Sequence, residues 1–76
     1  MEDLVEYLAK ALVDKPDEVR VERSEREGAI VLELHVAPDD VGKVIGRQGR
    51  VARALRTLVR ASGARSNERA LLEIVG

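Results

Sequence analysis

Ile30, Leu32, Leu34 and Val36 fall on alternate positions, with Glu33 and His35 between them. That two-residue period describes a β-strand with one apolar face, and it predicts a strand over residues 30–36. A strand of this kind has two requirements. Its edges need partner strands, and its apolar face needs a cover, so other segments of the chain have to supply both.

The cover is readable at the N-terminus. Leu4, Val5, Leu8, Ala9, Leu12 and Val13 recur at helical spacing, with Glu2 and Asp3 at the positive end of the helix dipole. Asp14-Lys15-Pro16 ends this helix, because the residue before a proline is pushed out of the α region. Val19 and Val21 suggest a short strand reaching about Arg23, followed by a turn over Glu25-Arg26-Glu27-Gly28. Beyond the central strand, Pro38-Asp39-Asp40 offers an N-cap for a short helix carrying Val41, Val44 and Ile45. A longer helix is predicted from about 49 to 61, closed by Ser62-Gly63. Ala70, Leu72 and Ile74 supply a last strand.

The order is α-β-β-α-α-β, an α+β fold in one domain spanning residues 1–76. The first two strands are close enough for a hairpin. The last returns after two helices, long enough to pair parallel with the second. A three-stranded mixed sheet with three helices packed on one face follows, its other face solvated at Glu33, His35 and Glu73.

Composition enters where function is asked. There is no cysteine, hence no disulfide, thiolate metal site or cysteine nucleophile. Apolar runs are far short of a membrane span, and the acidic amphipathic start carries no secretory pattern, so a cytoplasmic protein without membrane contact is expected. His35 stands without a second His or Cys to share a metal. Asp39-Asp40 and Asp17-Glu18 suit caps and turns better than an acid/base pair. The expectation is a non-enzyme with no cofactor and no metal.

The net charge of −1 conceals an uneven distribution. Residues 1–40 carry 12 acidic and 5 basic side chains, whereas residues 41–76 carry 8 basic and 2 acidic ones. Between Lys43 and Arg60 there are six basic residues and no acidic one. At ~100° per residue, Arg50, Arg53, Arg56 and Arg60 share one third of the helix circumference. Solvated faces ordinarily mix signs to gain i,i+4 pairs; a one-signed stripe repels itself until a polyanion neutralises it. Arg50 and Arg53, nearest the loop, are the better candidates for phosphate contact.

That stripe begins at Lys43-Val44-Ile45-Gly46-Arg47-Gln48-Gly49-Arg50. Gly46 and Gly49 turn the backbone between two helices and leave no Cβ over the loop, so a sugar-phosphate chain can approach it. Lys43, Arg47 and Arg50 add charge-assisted contacts, and Val44 and Ile45 offer apolar surface on which bases rest. Tyr7 is the lone aromatic residue, which weighs against a stacking platform.

The run Ile45-Gly46-Arg47-Gln48-Gly49, in this element order, resembles the Ile-Gly-x-x-Gly signature of KH domains of type II, and the resemblance covers the whole chain. The size and acidic first helix look like the bacterial KhpA family of small RNA-binding proteins. The resemblance implies that the loop clamps about four nucleotides of single-stranded RNA or DNA, with bases in the adjoining groove. It also implies a variable loop over Ser62–Asn67, opposite the glycine loop, where Arg65 is either a nucleotide contact or an ordinary surface residue. A role as post-transcriptional regulator or RNA chaperone, and pairing as a homodimer or with a larger KH-containing RNA-binding partner, belong to the same picture. Two other readings stay open at this point. One is a helix-turn-helix binder of duplex DNA, and the other a protein-interaction module with an idle loop.

Overall fold

The computed structural model describes residues 1–76. Six principal elements follow the anticipated order: α1 (Glu2–Leu12), β1 (Arg20–Arg26), β2 (Ala29–His35), α2 (Val41–Ile45), α3 (Arg50–Arg65) and β3 (Arg69–Val75). β2 lies in the middle of the sheet. It pairs antiparallel with β1, from Arg20 opposite His35 to Arg26 opposite Ala29. It pairs parallel with β3, from Ala29 opposite Arg69 to His35 opposite Val75.

The apolar alternation of β2 does what its period requires. Ile30, Leu32 and Leu34 face the helices and join Val5 and Ala9 of α1, Val44 of α2, Leu55 and Val59 of α3, and Ala70 and Leu72 of β3 in one core. Leu32 and Leu34 are wholly buried. At ~25 cal/mol per Å² of apolar surface, each such leucine contributes about 1.5–3 kcal/mol.

Four local expectations are corrected. The first strand is longer than its two valines suggest, since Ser24, Glu25 and Arg26 all continue the ladder. The hairpin turn shrinks to Glu27 and Gly28, both at positive φ (53° and 79°), the pattern whose twist matches flanking strands. The helix predicted to end at Ser62-Gly63 runs on to Arg65. Gly63 is not a stop signal but a point of close packing, because a Cβ there would lie 2.8 Å from both Ala70 Cβ and the Glu68 carbonyl oxygen. The stop is made instead by Asn67, two residues past the helix end, which takes φ 58°. The Asn67 N–H donates to the Ala64 carbonyl (3.0 Å) and the Glu68 N–H to that of Gly63 (2.7 Å), closing a Schellman motif.

The third correction concerns the sheet face turned away from the helices. Glu33, His35 and Glu73 do lie there, but Ala29 and Val31 on the same face are buried. Arg26 of β1 reaches across β2 to Glu73 of β3, Nη2 to Oε1 2.8 Å, and shields them. Fourth, Asp40 stands at the N-cap position of α2 without capping it. Its carboxylate accepts instead from the backbone N–H groups of Asp14 (3.2 Å) and Lys15 (3.0 Å).

Candidate nucleic-acid interface

α2 has five residues, too few to hold a helix by propensity alone, so its place is set by tertiary contacts. Val44 anchors it from below, and the Gly46 N–H closes its last turn on the Gly42 carbonyl at 2.9 Å. The chain then leaves the helix at Gly46, with φ 76° and ψ 174°. Arg47, Gln48 and Gly49 make one tight turn, closed by the Gly49 N–H on the Gly46 carbonyl at 3.2 Å. Gln48 and Gly49 both have positive φ, 56° and 72°. α3 starts at Arg50, so the loop is held between a short helix pinned by the core and a long one packed along it.

The side chains of Arg47 and Gln48 stand in solvent at the tip of this turn. Gln48 accepts from Arg50, Nη2 to Oε1 3.3 Å, which leans the guanidinium over the loop. Lys43, one turn back on α2, forms an ion pair with Asp14, Nζ to Oδ2 3.4 Å. Ile45 is half-buried, with part of its surface open beside the loop. Val44 is a correction: it is wholly buried in the core and presents no surface to a base. Neighbours on a helix point about 100° apart, so Val44 turns fully into the core while Ile45 stays at its margin.

The cations separate into two populations. Arg20, Arg23 and Arg26 in the hairpin each meet a carboxylate, on Glu22 (2.8 Å), Glu2 (3.6 Å) and Glu73 (2.8 Å) respectively. From Arg47 to Arg69, the seven arginines make no ion pair at all. The uneven charge of the sequence is therefore also uneven neutralisation in three dimensions.

α3 buries Ala52, Leu55, Val59 and Gly63. Its two flanks differ. Toward β3, Arg56 and Arg60 border a cleft of about 420 Å³ with Ala70, Leu71, Leu72 and Glu73. Toward α1, Val51, Ala54, Leu55 and Leu58 form a mostly apolar groove with Leu8, Ala11 and Leu12, and Arg50 also lines it. Arg56 and Arg60 line the cleft beside β3, whereas Arg50 and Arg53 line a separate concavity with Ala54, Thr57 and Leu58. Arg65 belongs to the last turn of α3, not to a loop, about 22 Å along the axis from Arg50 at 1.5 Å per residue. The structure does not bring it to the glycine turn.

Glu22, Glu33 and His35 converge on the outer sheet face, their donor atoms within 4.8 Å of one another. The sequence sought a second His or Cys and passed over these carboxylates, which meet only through the register of β1 on β2. His35 Nε2 is 3.4 Å from Glu33 and 3.6 Å from Glu22. The same Glu22 oxygen already takes the Arg20 guanidinium at 2.8 Å, so a cation is present in the cluster without a metal.

The sheet order, the two helices bracketing Gly46–Gly49 and the cleft beside α3 define a KH domain of type II. A family model described as "KhpA/KhpB, KH domain" matches residues 2–74, and the chain belongs to that family. The chain is 52% identical to the RNA-binding protein KhpA of Clostridium acetobutylicum over 75 residues, covering 99% of this chain and all of that one. It is 57% identical to the RNA-binding protein KhpA of Treponema pallidum over 74 residues, 97% of this chain and 92% of that one. Identity to the KhpA protein of Aquifex aeolicus is 52% over 75 residues, 99% and 95% of the two chains. No solved structure matches the chain.

Proposed function

We propose that the chain binds single-stranded RNA, the backbone seated on Gly46–Gly49 and the bases in the cleft between α3 and β3. The carrying observation is the row of arginines without carboxylate partners that runs from the loop tip along α3, of which Arg56 and Arg60 line the cleft. Unpaired guanidiniums on one face repel each other, and phosphates relieve that cost while gaining bidentate contacts. Arg47, Gln48, Arg50 and Arg53 serve the backbone, Ile45 the first base, and Arg56 and Arg60 the strand as it crosses toward β3. The relatives' names as RNA-binding proteins point the same way. Single-stranded DNA of equal length is the natural competitor.

A cleft bounded by a helix and a strand admits one strand more readily than a duplex, which favours this reading over major-groove insertion. The chemistry needs no cofactor and no catalytic step. No helix is long and apolar enough to cross a membrane, and a role on RNA in the cytoplasm, as a regulator or RNA chaperone, fits this chemistry.

The decisive experiment replaces Arg47 and Gln48 together by Asp. Binding to a short labelled RNA, read by fluorescence anisotropy, should be lost while the circular-dichroism melt stays in place. Retained affinity would remove the loop from the mechanism.

A second property concerns assembly. Leu12 and Leu58, each 41% exposed, open the apolar groove between α1 and α3 to solvent, on the flank away from the cleft. We infer that this groove is where the chain pairs, with its own copy or with a larger KH-containing partner, the cleft between α3 and β3 lying on the other flank of α3. Paired clefts gain affinity for one RNA through effective concentration. Leu12→Glu should halve the mass in sedimentation equilibrium without unfolding the chain. An unchanged mass would exclude the groove.

A further inference from the structure

Asp40 is the one buried charged side chain in the molecule, 1% exposed. It lies immediately before α2, and its two oxygens are engaged by a segment 25 and 26 residues away. Oδ1 accepts from the Asp14 N–H at 3.2 Å and Oδ2 from the Lys15 N–H at 3.0 Å. Those two N–H groups belong to the connector after α1, which takes part in neither helix nor sheet. Two exposed ion pairs flank the same junction, Asp14 with Lys43 and Lys15 with Asp39, each 3.4 Å.

The connector is thus bolted to both sides of the α2 start. α2 itself spans barely one and a half turns between this bolt and Gly46, and it buries a single side chain, Val44. Val44 inside the core and Val41 partly buried against it fix the depth of this short helix, but apolar contacts carry no direction and leave it free to pivot. A second, directional anchor removes that freedom. The two hydrogen bonds to one carboxylate act at the end of α2 opposite to the glycine turn, so a small rotation there becomes a displacement of Gly46 and Arg47. A hydroxyl or amide cannot replace it, since only a carboxylate offers two acceptor oxygens to two adjacent N–H donors.

We propose that Asp40 is a positioning residue for RNA binding: it touches no nucleotide, but it sets the angle at which Gly46–Gly49 is presented. This rests on the glycine turn being the RNA site, and the test is arranged so that the two ideas fail separately. Asp40→Asn keeps size and one acceptor while turning the other oxygen into a donor facing an N–H. Ile30→Val, at the far end of β2, serves as the comparison for lost stability alone.

Two readings are taken on each protein: the backbone amide resonances of Gly46 and Gly49 without RNA, and the Kd for a short labelled single-stranded RNA. With Asp40→Asn, the Gly46 and Gly49 resonances should move and RNA affinity should fall by about tenfold or more, the value of one hydrogen bond to a charged group. With Ile30→Val, a comparable loss in Tm should leave both readings unchanged. If Asp40→Asn does not fold, the same readings are made on Asp40→Glu, which keeps the charge but shifts its oxygens. Resonance changes confined to residues 13–15 and 38–42, with affinity within about twofold of the parent, would overturn the proposal. Moved loop resonances in a chain that binds no RNA in any form would uphold the positioning and refute the RNA site.

Discussion

Val51 occupies the space that a side chain on Gly46 would need: a Cβ built there lies 2.9 Å from Val51 Cβ and 3.0 Å from its backbone nitrogen. The first glycine of the loop is therefore constrained twice, by contact and by its φ of 76°. The second, Gly49, is constrained by φ alone, with open space where its Cβ would be. Gly46→Ala should accordingly cost more than Gly49→Ala, roughly 2–4 kcal/mol against about 1 kcal/mol, since strain and overpacking add at the first site. Urea melts of the two variants check the order. Equal costs would mean that the Val51 contact relaxes freely.

The unpaired arginines should act on binding and barely on folding. Replacing Arg56 and Arg60 together by Ala should reduce the slope of log affinity against log salt by about 1.4, if each neutralises one phosphate of a single strand. Stability should stay within about 0.5 kcal/mol, because neither side chain has an ion-pair partner to lose. Arg26→Ala is the converse case. It removes the bridge to Glu73 over buried Val31 and should lower Tm with no change in the salt slope.

Lys43 is the exception among the loop cations, because Asp14 already holds it at 3.4 Å. Phosphate has to displace that carboxylate. Asp14→Asn leaves the backbone N–H that Asp40 needs and frees the ammonium, so RNA affinity should rise by about two- to threefold. Little stability should change, exposed pairs being worth about 0–1 kcal/mol. A weaker Kd in isothermal titration would show that the pair orients Lys43 instead of competing for it.

The fold is legible in the sequence where one physical period decides the outcome. The alternation of Ile30, Leu32, Leu34 and Val36 placed the central strand, the proline at 16 stopped α1, and Gly46-x-x-Gly49 placed the turn. The misreadings share a cause: the deciding contact was remote in sequence. Gly63 looked like a helix stop because nothing local reveals that Ala70 and Glu68 press against it. Asp40 looked like a cap because its true donors are 25 and 26 residues earlier. Val44 stands beside the loop in sequence, but the core takes it.

Gly63 offers the sharpest test of that remote packing. α3 and β3 approach so closely there that a Cβ would sit 2.8 Å from Ala70 Cβ and from the Glu68 carbonyl oxygen. In an exposed helix, Gly→Ala stabilises by about 1 kcal/mol through propensity. Here overpacking opposes that gain at about 1–3 kcal/mol, and backbone in the contact cannot yield as a flexible side chain would. Gly63→Ala should therefore lower Tm and widen the cleft bordered by Arg56, Arg60 and Leu72, with weaker RNA binding as the accompanying loss. The paired change Gly63→Ala with Ala70→Gly should recover part of the stability, since it removes one of the two clashing atoms. A Gly63→Ala protein that melts higher than the parent would show that α3 ends loosely, as a glycine stop implies, and that the cleft is not held by this contact.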